Sequence, residues 1–226
     1  MTLTLLDLYN TASSQEWSMY DSDALTQGEL ENSLVIALNK ALTEILYSYP
    51  FKFREKTHVL LTIPKIAAYD IPKGIILKDE LGDYCVKINT QKLKYSDFVK
   101  LKGMAENCQN ESPKTPKIFS ISGDKLILYP VPLEKMIVTI DYQTLAVGED
   151  SNGEDIYALK NINDKISVPE HLEELLKNAV IARTMLNSIA SETDENFSAY
   201  KKQSETAYRL LIKYSKGLTI DKNITF

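Results

Sequence analysis

Apolar residues recur at the three- and four-residue spacing of an amphipathic helix in three stretches of the chain. The first stretch runs from about Thr26 to Ser48 and is stopped by Tyr49-Pro50, because the residue before a proline is disfavoured in helical geometry. The second opens at Val168-Pro169-Glu170, with proline in its first turn, and the third covers about Glu195 to Lys216, with Gly217 as its C-cap. The short link between the last two predicts an antiparallel helical hairpin. The apolar stripes of the three helices predict a shared core that includes Leu38, Leu42, Leu176, Leu186 and Leu211.

Between Phe51 and about Val147 the pattern changes to short apolar runs separated by proline and glycine, which is typical of strands and turns. Ser122-Gly123-Asp124-Lys125 has the composition of a hairpin turn. The runs that predict strands are His58 to Ile63, Tyr84 to Ile88, Lys117 to Ile121, Leu126 to Tyr129 and Met136 to Tyr142.

Two polar segments, residues 10–23 and 148–164, lack a clear period and are expected to be loops, whereas Thr4 to Tyr9 is compatible with a short helix. Residues 218–226 alternate with a period of two, interrupted by Lys222. A strand with one apolar face needs a sheet to join, and the simplest such sheet belongs to another chain. We therefore expect an extended arm that binds a partner through Leu218, Ile220, Ile224 and Phe226.

These patterns predict an α+β fold. Its helical core consists of an N-terminal helix and a C-terminal helical hairpin, with an antiparallel β region inserted between them and an extended arm at the end. The expected segments are residues 1–50 with the first core helix, 51–147 as the β insertion, 148–168 as a polar loop, 169–217 as the hairpin and 218–226 as the arm.

The composition of the chain argues against several classes of protein but does not identify the function. The chain has 226 residues, of which 44% are hydrophobic and 25% charged, and these are ordinary values for a globular protein. Its net charge of −5 gives no general attraction to nucleic acid. The sequence predicts no membrane span, no signal peptide and no disulfide framework, so we expect folding in a reducing cytoplasm.

Candidate chemistry is sparse. The two histidines, His58 and His171, have no cysteine or carboxylate at metal-ligand spacing, and Cys85 and Cys108 have no CxxC partner. We therefore expect no catalytic residue, no metal and no cofactor. One stretch keeps a rival interpretation open: residues 87–102 carry five lysines with Tyr95 and Phe98 between them, which is compatible with a solvated face or with contact to nucleic acid. An enzyme with a substrate site in the β region is the other rival.

The order of these parts resembles the head–tail adaptor proteins of short-tailed phages over roughly residues 28 to 217. The helix with Ala37-Leu38-Asn39-Lys40-Ala41-Leu42 is similar to their opening helix. Ile118 to Pro130 resembles their strand–turn–strand element, and Val168-Pro169-Glu170-His171-Leu172 is similar to the entry of their C-terminal hairpin, whose second helix would carry Tyr200 and Tyr208. The richness in Lys, Ile and Asn further suggests an AT-rich genome, such as that of a crAss-like phage.

The resemblance implies a structural virion protein and not an enzyme. Adaptors of this kind form a ring of twelve copies below the portal protein, extend the DNA channel and provide the platform for the next tail ring or tail hub proteins. DNA would pass through such a ring without sequence-specific binding, and the acidic balance suits a channel that does not hold phosphate. The implied location is the neck and tail of the virion, with the host cytoplasm as the site of assembly and no membrane partner.

Overall fold

The computed structural model describes residues 2–14, 27–107, 115–189 and 196–216. It divides the chain into two compact units, which we call the helical unit (Met1–Arg54 and Ala146–Phe226) and the β unit (Glu55–Leu145). The β unit is thus inserted in the sequence of the helical unit. The α-helices are α1 Leu5–Ser14, α2 Gln27–Ser48, α3 Phe98–Asn107, α4 Glu173–Ser188 and α5 Phe197–Ser215.

The helical unit is built around α2, α4 and α5, and α4 and α5 pack against each other as a hairpin. The α+β class and the C-terminal hairpin predicted from the sequence are therefore confirmed. The chain enters α4 through a short 3₁₀ turn, Glu170–Leu172, after Pro169. The extended arm expected at residues 218–226 lies outside the described residues, as does Gly217.

Helix α1 is longer than the sequence suggested, because residues 10–14 continue it instead of forming a loop. The rest of the predicted loop, residues 15–23, lies outside the described residues. Thr4 and Asp7 begin the helix with reciprocal hydrogen bonds: the Thr4 amide donates to Asp7 Oδ2 at 2.9 Å, and the Asp7 amide donates to Thr4 Oγ1 at 3.3 Å. Leu5, Leu8 and Ala12 are buried one turn apart, so Ala12 carries the apolar stripe past the predicted end of the helix.

The predicted polar loop at residues 148–168 is also ordered more fully than expected. It contains a small three-stranded sheet with the order β11-β10-β12, whose strands are β10 Gly148–Glu149, β11 Asp155–Ile156 and β12 Lys165–Ile166. Gly148 is required here, because a Cβ atom at this position would overlap the Lys165 carbonyl group. Leu159 and Ile166 from this segment are buried in the core of the helical unit.

Asn39 explains how this polar segment is held. Its side-chain amide donates to the Leu159 carbonyl at 2.9 Å, and its carbonyl oxygen accepts from the Leu159 amide at 2.7 Å. At the other end of the segment, Asp164 is buried, and its carboxylate accepts from the amides of Lys160 and Asn161. Side chains therefore hold the segment in place by hydrogen bonding to its backbone groups. The spacing of apolar residues in the sequence does not reveal such bonds.

The described part of the β unit, residues 55–107 and 115–145, contains nine strands in two sheets. One sheet has the order β1-β9-β4-β5 with β3 also paired to β9, and the other has the order β2-β8-β7-β6. All pairs are antiparallel except β6 with β7, which is parallel. The strands are β1 Glu55–Leu61, β2 Ala68–Asp70, β3 Gly74–Ile76, β4 Val86–Ile88, β5 Gln91–Lys92, β6 Lys94–Tyr95, β7 Ile118–Ser122, β8 Lys125–Tyr129 and β9 Ile137–Thr144.

The two sheets share a core that includes Phe119, Leu126, Val138 and Ile140. β7 and β8 form the predicted hairpin, and Gly123 in its turn has a φ of 62°, which glycine adopts without strain. Helix α3 was not predicted, since the sequence suggested only strands and loops in the basic stretch. Its start is marked by Asp97, whose carboxylate accepts from the Val99 amide at 2.9 Å.

Candidate interaction surface

The most distinctive surface of the β unit lies along β1. The strand occupies one end of its sheet and pairs only with β9 among the described residues. Side chains alternate along it between half-buried and exposed, and the exposed ones include Val59 and Leu61 at 58% and 61%. Ile63, just after the strand, is 54% exposed, and Ile137 on β9 lies opposite Leu61 at 47%. We call Val59, Leu61, Ile63 and Ile137 the β1 surface.

One side of the β1 backbone is paired with no other strand in the part of the chain that the structure describes. Thr62 donates its amide to the Met136 carbonyl at 2.9 Å, so the even-numbered residues of this run direct their backbone groups toward β9. The odd-numbered residues Thr57, Val59 and Leu61 consequently direct theirs away from the sheet. The open edge ends at Ile63, whose amide donates to the Tyr69 hydroxyl at 3.1 Å. An open edge next to exposed apolar side chains is a ready template for pairing with another strand.

The same face becomes polar toward the start of β1. Thr57 donates from Oγ1 to the carboxylate of Asp141 at 2.7 Å, and the two residues lie opposite each other in the β1–β9 register. Together with Glu55, Cys85 and Lys78 they line an open pocket. Burial, together with the carboxylates of Asp141 and Asp79, raises the pKa of the Cys85 thiol, which works against a reactive thiolate there. This end of the face therefore carries two carboxylates, Glu55 and Asp141, and the ammonium group of Lys78.

The basic stretch is arranged differently from a continuous cationic groove. Lys92 bridges Asp79 and Asp83, and its hydrogen bond to Asp79 lowers the pKa of that carboxyl. Tyr95 packs against Phe119 with ring centroids 5.6 Å apart, and also against Tyr84 at 4.9 Å. One lysine of the stretch is thus neutralised, and one aromatic ring is used in packing.

Five other lysines of this region are exposed and form no salt bridge among the described residues: Lys87, Lys94, Lys100, Lys102 and Lys117. The backbones of Lys94 and Lys117 are adjacent, since the Lys94 amide donates to the Lys117 carbonyl at 2.9 Å, while the β6–β7 register places Lys94 opposite Ile118. Phe98 is exposed at the start of α3. We call these exposed lysines, together with the exposed rings of Tyr95 and Phe98, the basic patch.

A polar cluster of the helical unit lies in a small cavity between α2, α4 and α5. Arg183 donates from Nε to the Glu44 carboxylate at 2.8 Å, and Asn187 donates to the same oxygen at 3.2 Å. Burial alone would raise the pKa of Glu44, but these hydrogen bonds and the positive charge of Arg183 lower it below its usual value. The cluster joins helices and supports the hairpin.

Four of the five leucines predicted for the helical core are fully buried in one cluster: Leu38, Leu42, Leu176 and Leu211. Leu186 is only half-buried and is not part of that cluster. The arm residues Leu218, Ile220, Ile224 and Phe226 and the thiol of Cys108 lie outside the described residues. His58 is half-buried on β1, and His171 is exposed in the 3₁₀ turn before α4.

The sequence did not identify the β1 surface, although it predicted the strand that carries it. The signal that could have found it is the run Val59-Leu60-Leu61-Thr62-Ile63, because apolar residues on both faces of an edge strand exceed what one core can cover. Within residues 2–14, 27–107, 115–189 and 196–216, no group of three or more His, Cys, Asp and Glu side chains could hold a metal ion. Of the helices in those same ranges, none combines the length and apolarity needed to cross a bilayer.

Comparison with known proteins adds no assignment to these observations. No protein-family model matches the chain, and no curated protein matches it.

Proposed function

We propose that the chain is a head–tail adaptor of a short-tailed phage, a structural virion protein that forms a ring of twelve copies below the portal. The ring would extend the DNA channel and provide the platform for the next tail ring or tail hub proteins. In this proposal no residue has a catalytic role, and the protein works in the neck of the virion after assembly in the host cytoplasm. The observation that carries the proposal is the β1 surface.

Three large apolar side chains in succession, Val59, Leu61 and Ile63, are each more than half exposed beside an open sheet edge. A surface of this kind favours protein–protein contact over solvent. When one copy offers its edge to a different surface of the next copy, the contact is head-to-tail, and repeating it around an axis closes a ring. The β1 surface therefore supports an assembling protein.

The helical unit supports the proposal in a second way. Its apolar residues are gathered in one core, and the Glu44–Arg183–Asn187 cluster ties α2 to α4. A ring subunit must keep its shape, and the rigid helical unit would provide that stability. The β1 surface would make the contacts with other chains. The order of the helical unit and its inserted β unit is also the feature that resembles the phage adaptors.

Electron microscopy of the chain mixed with the portal protein of the same phage tests the proposal. We expect added ring-shaped density with the portal's rotational symmetry, whereas the isolated chain stays largely monomeric until the portal provides a template. Portal rings imaged alone are the control. Failure of the chain to associate with the portal at any concentration or salt tested would contradict the proposed function.

The basic patch favours a second candidate, a nucleic-acid contact. Lys94 and Lys117 are exposed and are joined by a backbone hydrogen bond, and the rings of Tyr95 and Phe98 are exposed in the same stretch of the chain. Such a patch would bind phosphate and a base, and its affinity would fall steeply with salt. Replacing Lys94 and Lys117 by Glu should then abolish retardation of DNA in a gel. The control is the same change at Lys65, which lies before β2 and outside the basic stretch, and it should leave retardation unchanged. Absence of retardation by the wild-type chain at low salt would remove this candidate.

A further inference from the structure

No strand of the described residues pairs with the outer edge of β1. Seven residues, Glu55–Leu61, form the strand, and its odd-numbered members direct both backbone groups and exposed side chains away from the rest of the chain described here. A strand added at this edge would make main-chain hydrogen bonds with Thr57, Val59 and Leu61. Its own side chains would then lie beside the β1 surface.

We propose that the occupant of this edge is the segment of residues 218–226 from a second copy of the chain. This inference rests on the proposed function, because it requires neighbouring copies of the chain as in a ring. It identifies the segment that binds the β1 surface. The segment has nine residues, enough to cover the seven residues of β1. Its alternation puts apolar side chains on one face, as strand addition requires: Leu218, Ile220, Ile224 and Phe226.

The single charge on that face fits the polar end of the β1 edge. When Lys222 lies opposite Thr57, its ammonium group comes within reach of the carboxylates of Glu55 and Asp141. In this register the segment places an apolar side chain opposite Val59 and another opposite Leu61, whichever way it runs. An antiparallel segment uses Ile220 and Leu218, and a parallel one uses Ile224 and Phe226. In one register, therefore, the charge of Lys222 lies near the carboxylates and the apolar residues of the segment lie opposite those of β1.

A labelled peptide of residues 217–226 tests the inference by fluorescence anisotropy, without any portal present. Three full-length receptors are compared at dilute concentration. The first is the wild type, the second carries Ile220→Asp and Ile224→Asp so that its own segment cannot compete, and the third carries Leu61→Lys. A peptide of the same composition with the alternation destroyed is the control ligand. Circular dichroism checks that each receptor is folded.

We expect the first two receptors to bind the peptide with equal affinity, and the Leu61→Lys receptor to bind it at least about tenfold more weakly, since an inserted charge is the natural way to block an edge. If Leu61→Lys does not fold, Val59→Pro replaces it, because the amide at Val59 faces outward and its loss spares the pairing with β9.

Three results would overturn the inference. The first is that no receptor binds the peptide, and the second is that the Leu61→Lys receptor binds it as tightly as the wild type. The third is that only the receptor with Ile220→Asp and Ile224→Asp binds it, which would show that each copy's segment occupies its own edge. A wild-type chain that binds the peptide but never docks on the portal would leave the inference standing and would contradict the proposed function instead.

Discussion

The two units of this chain differ in what their apolar residues do. In the helical unit most of them are buried in one cluster, to which the described helices α1, α2, α4 and α5 all contribute. In the β unit the core is smaller, and this unit carries most of the large apolar side chains that lie exposed among the described residues. One unit therefore uses its apolar residues mainly to fold, while the other keeps part of them at its surface.

Geometry explains why the β unit can do both. A strand directs alternate side chains to opposite faces, so β9 buries Val138 and Ile140 on one face and presents Ile137 on the other. A helix packed by one stripe has most of its apolar residues on the buried side, and exceptions such as Ile36 on α2 are isolated. Replacement of residues in each unit should therefore separate stability from assembly.

The largest effect on stability is expected in the helical core. Leu176→Ala should lower the free energy of unfolding by about 2–5 kcal/mol, because Leu176 is fully buried and the substitution leaves a cavity. Leu186→Ala is the matched control and should cost only about 1 kcal/mol, since Leu186 is half-buried. Urea unfolding measures both. Equal costs for the two leucines would contradict the core described here.

A smaller effect is expected at Asn39. Asn39→Ala removes both hydrogen bonds to Leu159 and should cost about 1–3 kcal/mol, because it leaves a half-buried backbone amide and carbonyl without their partners. Asn152→Ala, in the exposed turn of the same segment, should change stability by less than about 0.5 kcal/mol. An Asn39→Ala protein as stable as the Asn152→Ala protein would show that the segment is held in another way.

The Glu44–Arg183 pair should give a pH-dependent effect. The pKa of Glu44 is lowered by folding, so the stability it contributes is present above its unfolded pKa and is lost as the pH falls through the lower folded value. Glu44→Gln should therefore cost about 0.2–1 kcal/mol at pH 7, reduced because the pair is partly exposed. Unfolding curves at pH 7 and pH 3 should show the difference from wild type shrinking in acid. Glu205→Gln, in a looser pair on α5, is the control, and a Glu44→Gln difference that grew in acid would reverse the sign predicted here.

The strong periods in the sequence predicted most of the fold. The stripe containing Leu34, Leu38 and Leu42 identified α2 almost to its ends, and Gly123 identified the β7–β8 hairpin. Local patterns of this kind need only near neighbours in the chain. They could not identify α3, whose apolar residues at the start, Phe98 and Val99, are exposed and carry no buried stripe.

Features that depend on distant residues were missed. The segment at 148–168 is polar, and its order comes from Asn39, which lies 120 residues before Leu159 in the chain. The exposure of Leu61 likewise depends on the position of β1 at the end of its sheet, which sheet order determines and sequence alone does not. The β1 surface therefore could not be predicted from the sequence, although the strand that carries it was predicted.

The smallest effect on stability should accompany the largest effect on assembly. Leu61→Lys should change the free energy of unfolding by no more than about 0.5 kcal/mol, because Leu61 is 61% exposed. The most direct test of the account is to image portal rings mixed with this variant and with Leu81→Lys, which places the same charge at an exposed leucine away from β1. We predict that Leu81→Lys adds a ring to the portal as the wild type does and that Leu61→Lys does not. A complete ring formed by Leu61→Lys would contradict the assignment of the β1 surface to assembly.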